Sequence, residues 1–169
     1  QYITLASLWG DVPMPVHELT LNDSRELTRT PVTQVWDFIS KELTEAAAVL
    51  PNRQSEVGRI TKGAALSLKA RAMLYAGRFI EAATTAKEVM DLKDYSLYPH
   101  YKDLFSYQAE NSQEVILDRQ YIKDLNSNNI FNLTTPNSIW PQVNQFVPTK
   151  TMVDSYKMIN GKDILSRSR

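Results

Sequence analysis

Trp140 stands between Asn137 and Gln142 in the stretch from Asp124 to Pro148, which also carries Asn126, Asn128, Asn129, Asn132, Asn144, Pro136 and Pro141. An indole face stacks on C–H surfaces, and amide groups both donate to and accept from hydroxyls. Those residue types on a long irregular segment therefore suit a polyhydroxylated ligand, and irregular segments are where binding residues concentrate. Tyr107 and Trp9 are weaker candidates of the same kind. A purely structural reading stands beside this one: Trp140 plugs the loop onto a helical body and the asparagines take up turn conformations.

For catalysis the chain offers less. It has no phosphate-cradling glycine loop, no nucleophile elbow and no paired-histidine motif. Carboxylates such as Asp118 and Asp154 are available, but spacing alone does not pair them across a fold, so no catalytic residue is assigned. Cysteine is absent, which removes disulfides, thiol chemistry and thiolate metal sites and leaves the compartment open. With His17 and His100 the sole histidines, no metal site and no cofactor are expected. The 19 basic residues cancel the 19 acidic ones, which argues against nucleic acid and against an anionic membrane surface. No apolar run reaches the about 18 residues of a spanning helix.

The elements that must hold any site are mainly helical. Gly58 to Asp91 reads as two helices joined at Ala76-Gly77-Arg78-Phe79. Gly77 as turn residue, Phe79 opening the second helix, and Ala70 and Ala82 as small contact positions match a hairpin of tetratricopeptide type. Leu66, Met73, Ala86 and Val89 would fill the groove between them. In the first helix, Ala65, Leu68, Ala72 and Tyr75 make one apolar stripe and Leu66, Ala70 and Met73 a second, as expected of a sandwiched helix. Arg71 falls on the first stripe, where it either pairs with Glu42 or Glu45 or snorkels to solvent.

Upstream, Gln1 to Leu8 reads as helical, Val16 to Arg29 as a surface loop, and Thr30-Pro31 as the start of a helix that runs to Pro51 around a buried Trp36. Downstream, a helical turn is expected near Tyr101 to Phe105 and a short strand at Glu114 to Tyr121. A last helix, Met152 to Met158, would be capped by Thr149 or Thr151 and end at Asn160-Gly161. The expected fold class is thus mainly α: tetratricopeptide-like hairpins with long irregular loops and a short strand. Residues 1–30 form a helix tail and loop, 31–91 the helical core and 92–169 a loop-rich region of one domain. The chain reads as a piece of a longer protein.

Six ordered blocks resemble the SusD/RagB family of nutrient-binding outer-membrane lipoproteins. They are Trp9-Gly10-Asp11-Val12-Pro13; the helix from Pro31 to Pro51; Gly58 to Ala65 with Ala70-Arg71 and Leu74 to Gly77; Tyr95, Leu97-Tyr98, Tyr101 and Leu104-Phe105; Glu114 to Leu117; and Thr149 to Gly161. The resemblance implies a helical scaffold and non-catalytic capture of oligosaccharides, or of peptides in some members, for a TonB-dependent transporter. It also implies lipid anchoring at the cell surface through a cysteine that lies outside this sequence. Ligand residues vary between members, so none is carried over. The alternatives are a tetratricopeptide module binding a protein partner and, more remotely, a glycoside hydrolase, which would need two facing carboxyl groups.

Overall fold

Four of the helices exist because each has an apolar stripe that another can cover. In a computed structural model, which describes residues 1–122 and 147–163, the chain divides into two compact units, 1–119 and 120–169. The first unit holds α1 (Tyr2–Trp9), α2 (Leu21–Glu26), α3 (Val32–Val49), α4 (Lys62–Tyr75) and α5 (Phe79–Asp91), then short 3-10 turns at Asp103–Phe105 and Tyr107–Ala109. The second holds α6 (Lys150–Asp154). The fold is helical, with no sheet among the described residues.

Helix α4 is the middle layer, with α3 on one side and α5 on the other. Val35, Trp36 and Ile39 of α3, Ala72 and Met73 of α4 and Ala82 of α5 share one core with Ala6 and Val12. Ala47, Ala65 and Leu66 make a second core, against which Val89 and Leu92 pack. Small residues at Ala65, Ala72 and Ala82 let the backbones approach, and Met73, fully buried, fills the space between them. The turn after α4 has the two hydrogen bonds of a Schellman cap, Arg78 N to Met73 O (2.9 Å) and Gly77 N to Leu74 O (3.2 Å). Gly77 takes φ +73°, a conformation that an L side chain would strain.

Several expectations are corrected. Ala70 is half-buried and lies outside both cores, so the close approach assigned to it belongs to Ala72. Thr85, 2% exposed, occupies the place expected of Ala86, which faces out. The stripe through Leu68 and Tyr75 is open to solvent, because α3 and α5 share one broad face of α4 instead of sandwiching it from opposite sides. Arg71 is consequently exposed, and Glu45 pairs with Lys41 (3.8 Å). Phe79 opens α5 but is largely exposed.

The loop expected at 16–29 contains α2, nucleated by a capping box in which the Thr20 hydroxyl accepts from Asp23 N and the Asp23 carboxylate accepts from Thr20 N. Residues 114–121 form no strand, since no neighbouring segment among the described residues offers them a ladder. Helix α6 stops at Asp154, well before Met158, although Thr149 does cap it. Beyond it, Gly161 (φ +77°) turns the chain so that Lys157 bridges Asp163.

A polar clasp crosses the three core helices. Glu81 of α5 accepts from Ser40 Oγ of α3 (2.5 Å) and faces Lys69 of α4 (3.3 Å) and Arg78 (3.9 Å). Arg78 in turn pairs with Asp37 (2.6 Å) and donates to Thr33 O (3.2 Å). The Ser40 hydrogen bond, assisted by Lys69 and Arg78 and opposed by partial burial, holds the Glu81 carboxyl below its ordinary value of 4.5.

Two predictions follow from this packing. Ala82 is 7% exposed and Leu97 85% exposed, so Ala82→Leu should cost roughly 1–3 kcal/mol by overpacking while Leu97→Ala stays within about 0.5 kcal/mol; equal shifts in chemical denaturation would refute the hairpin geometry. A depressed folded-state pKa gives stability that is present above the ordinary carboxyl value and is lost as pH falls through the folded one. Glu81→Gln should therefore lower the melting temperature at neutral pH and make little difference at about pH 3.

Candidate functional site

The N-terminus of α4 organises the most enclosed hollow of the first unit. Thr61 caps the helix, its Oγ1 accepting from Ala64 N (3.2 Å). The same oxygen lies 3.1 Å from the Tyr95 hydroxyl, which brings the segment after α5 back over the helix start. Gly63 makes that possible: a Cβ there would stand 2.3 Å from the Tyr95 hydroxyl oxygen and 2.4 Å from its ring. The loop 52–60 is closed by Gln54 Nε2 donating to Ile60 O (2.8 Å) and by Gly58 at φ +84°. Opposite it, residues 111–118 are fastened to the chain at 96–98. Ser96 N donates to Gln113 O (3.1 Å), Ser96 Oγ donates to Gln113 Oε1 (3.0 Å) and Tyr98 N donates to Glu114 Oε2 (2.5 Å). Asn111, at φ +57°, turns the chain into this wall, a conformation asparagine tolerates.

Between these walls lies a cleft of about 280 Å³. Its charged residues are largely paired. Arg53 Nε meets Asp94 Oδ1 at 2.9 Å and Arg59 Nε meets Glu56 Oε2 at 2.6 Å. Two lining residues each keep a buried side-chain oxygen without a hydrogen-bond partner, Asp94 Oδ2 and Ser112 Oγ. Such an atom costs about 1–3 kcal/mol in a finished fold, so a pair beside one cleft calls for a reason. A second hollow of about 330 Å³, between residues 14–19 and 23–30, contains no orphaned atom of this kind.

The residues singled out for binding do not gather here. Trp140, Asn137 and Gln142 lie outside the described residues. Trp9, 63% exposed, ends α1, and Tyr107, 95% exposed, opens the second 3-10 turn; neither lines the cleft. Asp118 does line it, whereas Asp154 lies on α6 and pairs with Lys150. Among the described residues no group of three or more acidic or histidine side chains could hold a metal ion. Sequence reasoning missed Arg53, Asp94 and Ser112. The first two meet across 41 positions, a separation that no local spacing rule covers.

Comparison with known proteins locates the chain among relatives. A family model for SusD-like proteins, described as "Starch-binding associating with outer membrane", matches residues 1–74. The chain is 27% identical over 128 residues to SusD-like protein P25 of Formosa agariphila, covering 73% of this chain and 24% of that one. The structure of a SusD-like protein from Bacteroides fragilis superposes with a TM-score of 0.67 at 30% identity, over 78% of this chain and 26% of that one. A SusD-like carbohydrate binding protein from the same organism gives 0.65 at 28% identity, over 72% and 25%. The chain thus spans about a quarter of the length of these relatives.

The Gly63–Tyr95 contact gives a test of the cleft's construction. Gly63→Ala should destabilise by roughly 1–2 kcal/mol, because the ring must leave Thr61 to admit the methyl group. In a Tyr95→Ala background the same substitution should become neutral or stabilising, since alanine gains up to about 1 kcal/mol over glycine inside a helix. A thermodynamic cycle by urea denaturation with no coupling between the two positions would rule the contact out.

Proposed function

We propose, from the premise that this chain belongs to the SusD/RagB family, that it is part of one SusD-like domain of a non-catalytic glycan-capture protein at the outer membrane. In this reading the whole protein is a surface-exposed lipoprotein that holds oligosaccharides outside the cell and delivers them to a TonB-dependent transporter. What supports it is one observation: similarity to proteins described as starch- or carbohydrate-binding that extends along about three quarters of the chain. The helical layers α3, α4 and α5 supply a rigid body, and the irregular segments, Trp140 with Asn137 and Gln142 among them, supply ligand contacts. Trp9 and Tyr107, both exposed, are available as further stacking surfaces.

A second reading, a tetratricopeptide module or peptide-binding member of the same family, draws on the apolar edge formed by Leu74, Tyr75, Phe79 and Ile80 at the hairpin tip, all of them exposed. The two readings separate on loss-of-function maps. A glycan array probed with the intact protein should give oligosaccharide hits, incubation with those hits should release no new reducing ends, and a TonB-dependent transporter should co-purify. Trp140→Ala should weaken glycan binding about tenfold, the loss of one well-packed aromatic contact. Unchanged glycan affinity, with partner binding abolished by substitutions at Leu74 or Ile80, would transfer the case to the second reading.

A further inference from the structure

We propose that the cleft between the 52–59 loop and the 94–118 segment is a subsite for a single neutral sugar ring, with Asp94, Ser112 and Arg53 as its polar contacts. The inference rests on the glycan reading above and adds the site and the ligand's charge. Size comes first. A hollow of about 280 Å³ lies at the lower end of small-molecule sites, which admits one ring of an oligosaccharide but not a folded chain.

Charge decides the class. Two guanidiniums and the carboxylates of Glu56, Asp94 and Asp118 line the cleft, leaving one net negative charge. Each guanidinium already faces a carboxylate, at 2.9 Å and 2.6 Å, so a phosphate, sulfate or uronate would have to displace an internal partner. A neutral ligand meets no such competition.

Hydrogen-bonding capacity then selects hydroxyls. Asp94 Oδ2 is an acceptor without a donor, and Ser112 Oγ can serve as either. Arg53 engages Asp94 through Nε, which leaves its Nη groups in solvent, and Gln113 uses its amide oxygen to accept from Ser96. The cleft therefore offers acceptors and donors side by side. A sugar hydroxyl does both at once, donating to a carboxylate and accepting from a guanidinium. The apolar side chains of Val57 and Val115 line the same hollow and suit the C–H face of the ring.

The test uses the intact protein and titrates maltohexaose, xylohexaose, mannohexaose and hexagalacturonate into wild type, Ser112→Ala and Asp94→Asn. At least one neutral oligosaccharide should bind. Ser112→Ala should weaken it about fivefold, the loss of one hydrogen bond, with no change in melting temperature, because that hydroxyl has no partner within the fold. Asp94→Asn should weaken it further; if its lost pair with Arg53 prevents folding, Ser112→Ala alone decides. Neutral binding untouched by Ser112→Ala would overturn the subsite while leaving glycan capture standing. Tighter binding of hexagalacturonate than of any neutral sugar would overturn the charge assignment. No binding across this panel and a full glycan array would remove the glycan reading and the subsite with it.

Discussion

Everything in the first unit depends on how close α4 can come to its two neighbours. With alanine at positions 65, 72 and 82 and Met73 between them, three helices meet along one broad face of the middle one. That closeness is also what makes the polar clasp possible. Ser40, Lys69 and Glu81 lie on three different helices, yet their side chains share one carboxylate. Exposed ion pairs contribute little on their own, about 0–1 kcal/mol. A carboxylate reached from two helices, with Lys69 and Arg78 partly covered, contributes orientation instead: it fixes which faces of α3, α4 and α5 oppose each other.

The segments that carry the family resemblance turn out to be tie points between elements far apart in sequence. In Trp9-Gly10-Asp11-Val12-Pro13, Gly10 takes φ +69°, which reverses the chain after α1. Asp11 Oδ1 then accepts from Val32 N (2.7 Å), capping α3 from 21 positions away, while Val12 O accepts from Thr30 N (2.9 Å) and the Val12 side chain enters the core. The cap residue of α3 itself is Pro31, whose side chain has no acceptor to offer. Residues Gly58 to Ala65 act similarly at the other end, where Thr61 caps α4 and Gly63 admits the Tyr95 ring. Each block trades a side chain or a backbone freedom for one long-range contact.

This is why the helices were legible and the cleft was not. The periodicity of α3, α4 and α5 reports burial directly, and the turn at Gly77 follows from a residue that tolerates its φ. Even there, periodicity misplaced the contact register by up to two positions, Ala70 for Ala72 and Ala86 for Thr85, since each lies on the flank of its stripe. The box Thr20-x-x-Asp23 was visible but sits among polar residues with no apolar run behind it. The apolar texture at Glu114 to Leu117 suggested a strand, whereas those residues line a hollow. Arg53, Asp94 and Ser112 come together through tertiary folding, and nothing in their local sequence marks them.

The apolar surface left over points the same way as the length of the relatives. Leu68, Leu74, Tyr75, Phe79 and Ile80 are open on the hairpin, and Leu97, Tyr101 and Phe105 on the segment after it. Single exposed apolar residues are ordinary, but a run of them along one hairpin is the signature of a repeat that buries its second face on a neighbour. The matched relatives are about four times as long as the matched stretch, so a longer chain has ample material to supply such a neighbour. The cleft is built differently. Its walls are closed by their own hydrogen bonds, Gln54 to Ile60 and Ser96 to Gln113, and its ions are paired internally. Covering the hairpin faces satisfies apolar area, which any well-shaped partner can do. Completing Asp94 and Ser112 takes a hydrogen-bonding ligand of defined polarity, and that difference separates a surface for assembly from a site for recognition.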